Sequence, residues 1–211
     1  MSKQMAFYVD TSVCVGCKTC EIACKDEKNL SVGPRPRYVR ALMGGSWKAD
    51  EKNPTVFRQD IPVFSYHVSI SCNHCANPFC VAVCPAGSMQ KDEETGIVSN
   101  DHETCIGCES CYEACPYKAP QLVVEDNLVY KCDFCRELLD MGMAPACVET
   151  CPMRALSYGD YDELVKKYGD IRDIESLPDS SQTLPSLVLK PHPDIKAGTP
   201  VYSTDLYVTD R

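Results

Sequence analysis

No stretch of this sequence is apolar for long enough to cross a bilayer. The most apolar window near its middle, Ile61 to Ile70, is broken by Pro62, Ser65, His67 and Ser69. The first 30 residues hold no long apolar core, and no arginine occurs before Arg35. Neither a secretory leader nor a twin-arginine leader is expected on that pattern; a soluble or peripheral chain is. Positive charge is short, with a net −9 over 211 residues, which disfavours nucleic acid as a partner. Aromatic residues are scarce at 8%, although hydrophobic residues reach 44%. With few large side chains, other groups are expected to occupy much of the interior, and the fold to depend on metal. Histidine occurs only at 67, 74, 102 and 192. There is no Ser-His-Asp set, no phosphate-binding glycine loop and no carboxylate pair suited to substrate chemistry, so no catalytic residue is expected.

Cysteine is what the chain has in abundance. Sixteen are present, and all fall into four groups. Cys105, Cys108, Cys111 and Cys115-Pro116 follow C-x2-C-x2-C-x3-C-P, the ligand run of a bacterial two-cluster ferredoxin. Three thiolates on one tight loop reach three irons of a cubane cluster. The fourth has started up a helix and points to another cluster. Gly107 is expected to let the backbone pass close to the cluster. Cys14, Cys17, Cys20 and Cys24 repeat the spacing, with Lys25 where the proline would stand. Cys72, Cys75, Cys80 and Cys84-Pro85 widen the middle gap to four residues; Cys132, Cys135, Cys147 and Cys151-Pro152 widen it to eleven. Such a repeat precedes any other fold argument. Structural zinc takes two C-x2-C pairs and would leave the third and fourth cysteines of each group without a purpose. A disulfide framework suits short secreted chains, and cysteines crowded two residues apart are poorly spaced for it. Four iron–sulfur clusters use every cysteine. Lys18, Lys25, Lys118, Lys131 and Arg154 lie near these ligands. Most are expected to be solvated; any that sits against a cluster would raise its potential.

Along the chain, Met5 to Asp10 reads as a strand and Cys20 to Asn29 as a helix. Leu30 to Asp60 holds Pro34, Pro36, Gly44, Gly45 and Trp47 and no ligand, which reads as an ordered insertion. A covering loop and a partner surface are both open for it. Val63 to Ile70 reads as a strand, Phe79 to Met89 as a short helix and Gly96 to Asn100 as a strand. Gln121 to Glu125 and Leu128 to Tyr130 read as strands about a turn at Asp126-Asn127. Asp160 to Gly169 reads as a helix capped by Asp160 and stopped by Gly169. From Leu177 onward five prolines point to an extended tail, partly buried through Leu187-Val-Leu189 and Val201-Tyr202.

Several of these pieces carry a resemblance. They are Gly16-Cys-Lys-Thr-Cys-Glu-Ile-Ala-Cys-Lys-Asp26, Ser71-Cys-Asn-His-Cys75, Cys105-Ile-Gly-Cys108, Ala114-Cys-Pro-Tyr117, Lys131-Cys-Asp-Phe-Cys135 and Cys147-Val-Glu-Thr-Cys-Pro152. Together they resemble the four-cluster iron–sulfur subunits of the dimethyl sulfoxide reductase family of molybdopterin oxidoreductases. The resemblance is weakest in 31–60 and after 195. It implies an α+β fold of two pseudo-symmetric ferredoxin-like dicluster units. Residues 1–30 with 126–160 would form one half and 61–125 the other. Residues 31–60 would be an insertion, and 161–211 a helix and extended tail. It further implies a molybdopterin catalytic partner, an integral membrane anchor exchanging electrons with menaquinol, and co-export with a twin-arginine-bearing partner to the extracytoplasmic face. A soluble carrier or beta subunit of a cytoplasmic formate dehydrogenase or hydrogenase is the alternative.

The ligand pairing follows from each fourth cysteine lying a helical turn beyond its loop. Groups two and three both end in Cys-Pro and stand close in sequence, so they are expected to pair; groups one and four then pair around them. Cys14, Cys17, Cys20 and Cys151 would hold one cluster, and Cys24, Cys132, Cys135 and Cys147 the next. Cys72, Cys75, Cys80 and Cys115 would hold the third, and Cys84, Cys105, Cys108 and Cys111 the fourth. The resemblance places the first nearest the molybdenum subunit and the last nearest the quinol site.

Overall fold

The computed structural model describes residues 3–193 and 202–203. In chain order the elements are β1 (Met5–Asp10), α1 (Thr19–Glu27), β2 (Arg37–Ala49), β3 (Phe57–Ser71), α2 (Phe79–Ala82), β4 (Met89–Lys91), β5 (Val98–Asn100) and α3 (Ser110–Ala114). They continue with β6 (Gln121–Val123), β7 (Leu128–Tyr130), α4 (Arg136–Asp140), α5 (Ala146–Glu149), β8 (Leu156–Asp160), α6 (Tyr161–Tyr168), β9 (Leu187–Lys190) and β10 (Tyr202–Ser203). Strand, cysteine loop and short helix recur, which makes this an α+β fold of ferredoxin-like units.

β1 is the middle strand of the sheet β8-β1-β9, antiparallel to β8 and parallel to β9. Its side chains alternate between two interiors, as strand geometry requires. Phe7 and Val9 join the main core, while Ala6 and Tyr8 pack with Leu164 of α6 and Val188 of β9. Tyr8 stacks on Tyr168 with ring centroids 3.7 Å apart. α6 starts where the Asp160 side chain accepts from the amides of Asp162 and Glu163, and it stops at Gly169, whose φ is 88°. This is the capping expected from the sequence. β9 is buried through Leu187, Val188 and Leu189, as expected of the tail. Val201 lies outside the described residues; Tyr202 pairs with Met43.

Residues 31–60 are not a loop. β2 and β3 form a long antiparallel hairpin running from Arg37 opposite Ser71 to Ala49 opposite Phe57. β3 therefore crosses residue 60 and is much longer than the expected Val63–Ile70. Pro34 and Pro36 lie before β2, and Gly45, with a φ of 97°, sits where the ladder slips by a bulge. The base of the hairpin is buried through Tyr38, Leu42, Tyr66 and Val68, while Trp47 and Phe57 near its tip are exposed. Three smaller differences have local causes. α2 ends at Ala82, well short of Met89, because Pro85 cannot continue a helix. β5 begins at Val98, since Gly96 turns with a φ of 69°. The eleven-residue gap of the fourth group holds the unexpected α4.

Candidate metal centres

The first C-x2-C step of each group places its third residue in the left-handed region. These residues are Gly16 (φ 69°), His74 (44°), Gly107 (66°) and Phe134 (68°). The turn bends the amide of the third residue back to the first sulfur. Phe134 N–H donates to Cys132 Sγ at 3.4 Å, and Gly16 and Gly107 do the same for Cys14 and Cys105. Glycine takes this conformation without cost, whereas a side chain costs about 1–2 kcal/mol. A Cβ on Gly107 would strike the Asn127 carbonyl, so packing as well as φ requires glycine there. His74 and Phe134 are held in place by burial: both are at most 1% exposed, and Phe134 stacks on Phe7 at 4.2 Å.

The third cysteine of each group lies in α1, α2, α3 or α5. In the three groups that end in Cys-Pro, the helix stops before the fourth cysteine. The chain then turns through Gly87, Lys118 or Arg154, all at positive φ. Where Lys25 replaces proline, α1 runs on to Glu27. α1 packs against α5, and α2 against α3. That pairing carries each fourth cysteine across to another group's loop.

All sixteen thiols are free. Cys14, Cys17, Cys20 and Cys151 line one cavity, with Val39, Ser69 and Met153. Cys72, Cys75, Cys80 and Cys115 line a second, closed by Phe79 and Tyr117. Cys84, Cys105, Cys108 and Cys111 line a third, beside Asn100 and Val129. The other four, Cys24, Cys132, Cys135 and Cys147, are buried close enough to interact through their charges: Cys24 with Cys135 and Cys147, and Cys132 with Cys24 and Cys147. Among the described residues no three His, Cys, Asp or Glu side chains converge to hold a single ion. In three of the sets the sulfurs instead surround a cavity, the spread a polynuclear cluster requires.

These sets follow one another in a row. Cys20 of the first interacts with Cys147 of the second, and Cys132 of the second with Cys72 of the third. Cys80 of the third shares an apolar cluster with Cys111 of the fourth. Only Cys17 and Cys108, one at each end of the row, are exposed.

Burial dominates the electrostatics inside. It pushes the thiols of Cys24, Cys75 and Cys80 up to about 12, and those of Cys111 and Cys135 to about 11. Cys17 at the surface goes the other way, lowered by hydrogen bonds from Thr19. Of the cations near the cysteine motifs, Lys131 is buried at a junction. Its Nζ donates to the carbonyls of Val98 and Cys132 and lies 3.6 Å from Cys72 Sγ. His74 accepts from Val98 N–H at Nδ1, 3.0 Å away. Burial and then Lys131 hold it neutral, well below the ordinary imidazole range. Arg37, which no cysteine motif singles out, is 1% exposed between the first two sets. The signal available was an arginine at the start of a strand that pairs with Ser71, the residue before Cys72.

Comparison with known proteins agrees with this geometry. Residues 63–161 match the family described as a 4Fe-4S dicluster domain, and residues 11–33 match a 4Fe-4S binding domain. The B subunit of the anaerobic dimethyl sulfoxide reductase of Escherichia coli (strain K12) is 46% identical over 192 residues, 91% of each protein. Its counterpart in Haemophilus influenzae is 44% identical over 190 residues, 90% of each. The iron–sulfur subunit of the nitrate-inducible formate dehydrogenase of Escherichia coli (strain K12) is 33% identical over 176 residues, 77% of this chain and 56% of that subunit. Sixteen cysteines fit four [4Fe-4S] clusters, whose chemistry is electron transfer. The chain belongs to the iron–sulfur subunits of the dimethyl sulfoxide reductase family.

Proposed function

We propose that this chain is a non-catalytic relay, passing electrons between a quinol-oxidising membrane anchor and a molybdopterin catalytic subunit. The observation that carries the reading is the crossed lining of three cavities. Each takes three cysteines from one group and the fourth from another. Such crossing suits paired [4Fe-4S] clusters and nothing simpler. The ligands would be Cys14, Cys17, Cys20 and Cys151; Cys24, Cys132, Cys135 and Cys147; Cys72, Cys75, Cys80 and Cys115; and Cys84, Cys105, Cys108 and Cys111. Each [4Fe-4S] group, when bound, takes up and returns one electron.

The protein's own part is to hold, order and insulate. Helix pairs α1·α5 and α2·α3 bring two groups together, so adjacent sites share short protein paths. Buried inner cysteines keep water from the middle of the row, while Cys17 and Cys108 leave its ends open to partners. In this reading the first set would face the catalytic subunit and the fourth the anchor. No described helix is long and apolar enough to cross a membrane, so attachment would be through that anchor. Export with the catalytic partner would put the complex on the extracytoplasmic face. Likeness to a formate dehydrogenase subunit keeps the alternative of a relay in that enzyme class.

An anaerobic preparation should contain about sixteen iron and about sixteen sulfide per chain, four of each for every cubane. Native purification should bring down a molybdenum-containing large subunit and a multi-span anchor. Saturation near half the iron would refute four clusters, and recovery with soluble subunits alone would favour the alternative.

A further inference from the structure

Arg37 is a permanent cation, because guanidinium does not lose its proton in proteins. Burying such a charge costs several kcal/mol unless a counter-charge stands close. None of its hydrogen bonds supplies one. Nη1 donates to Ser69 Oγ at 3.0 Å and Nη2 to Ser71 Oγ at 2.9 Å, both neutral. Nε is buried without a hydrogen-bond partner. The guanidinium lies over the Phe7 ring, 4.5 Å from its centroid. The buried carboxylate of Glu21 belongs elsewhere, held by Arg35 at 3.0 Å and by the Val39 amide. The groups facing Arg37 that can become negative are cysteine sulfurs, which are thiolates once a cluster is bound: Cys147, Cys132 and Cys24 of the second set and Cys20 of the first. A direct chain also runs from Arg37 through Ser69 Oγ to Cys20 Sγ, the last link 3.3 Å long.

We propose that Arg37 is the shared counter-charge of the first and second cluster sites, a positioning residue that raises the reduction potential of both. This rests on the relay reading. An electron arriving at either site adds negative charge beside a fixed positive charge in an interior of low dielectric, so the reduced state is stabilised. No cysteine of the third or fourth set is among the largest charges acting on Arg37, although its Nη2 bonds Ser71 beside Cys72, so those two sites should respond least. The guanidinium also accounts for its own burial: only loaded sites supply the charge that compensates it.

The test uses the complete complex, prepared anaerobically, as wild type, Arg37→Gln and Arg37→Lys. Iron is counted, and each reduction step is followed by electron paramagnetic resonance during a redox titration. In Arg37→Gln two of the four steps should move clearly to lower potential and the other two much less. Arg37→Lys should bring the moved steps back toward wild type. Four unmoved steps in fully loaded Arg37→Gln would overturn the proposal, as would equal lowering by both variants. If Arg37→Gln loses the first two clusters while Arg37→Lys keeps them, the charge requirement stands; loss from both would make the role one of shape and overturn it. Wild type without four clusters would instead refute the relay reading, which is a separate result.

Discussion

Cys111 lies buried in α3 and lines its cavity with Cys105 and Cys108. A serine oxygen in its place is a harder, weaker iron ligand than thiolate. Cys111→Ser should leave the protein folded but release one iron from that site. Oxidised protein should then show a new three-iron resonance, absent from wild type. A stoichiometric three-iron signal already present in oxidised wild type would contradict the assignment. Lys131 offers a second test at this scale, because its ammonium sits between Cys72 and the Cys132 carbonyl. Lys131→Met keeps the length and removes the charge. The second and third sites should fall in potential, and losing a buried donor to two carbonyls should destabilise the fold by about 1–3 kcal/mol. The other cations near the motifs do less. Lys118 and Arg154 bond backbone carbonyls near helix ends, and Lys25 bonds the carbonyls of Ser31 and Pro34.

At the scale of elements, α1 differs from the other cysteine-bearing helices. It continues past Cys24 to Glu27, because Lys25 keeps the amide that proline lacks. Putting in the proline that the other three groups carry should therefore do harm. Lys25→Pro would clash with the Glu21 carbonyl one turn back and cost ~3 kcal/mol. It would also disturb Cys24, which crosses to the second set. The expected outcome is a lower thermal midpoint together with loss of one cluster's iron. Unchanged iron with only a lower midpoint would show that Cys24 does not hold that cluster. The β2–β3 hairpin carries no cysteine in its paired strands, yet its base delivers Ser69 and Arg37 to the first two sets.

Across the whole molecule, cluster retention should depend on pH through the buried thiols. Burial raises Cys24, Cys75 and Cys80 to about 12, so in the cluster-free fold they keep their protons at neutral pH. A cluster takes them as thiolates, and loading releases those protons. The loaded form binds fewer protons than the empty one. It is favoured as pH rises and lost as pH falls. Iron release to a chelator, compared at about pH 6 and about pH 8, should be greater at the lower value. A pH-independent endpoint would mean that the thiols are not the ligands.

The spacing of sixteen cysteines announced the cluster type and number and the ferredoxin-like repeat. Cluster loops are local: a tight turn and one helical turn place the sulfurs, so a dozen residues contain the information. Capping of α6 by Asp160 and Gly169 was legible for the same reason. The hairpin was not, because Pro34, Pro36, Gly44 and Gly45 are turn formers, and only pairing with β3 makes an extended strand of the residues beyond them. The pairing of groups was expected from their spacing, but the means of it, α1 meeting α5 and α2 meeting α3, belongs to the tertiary structure. It also decided which cations matter. Arg37 and Lys131 look in sequence like any surface charge, and only burial against sulfur, away from water, gives their charge its strength.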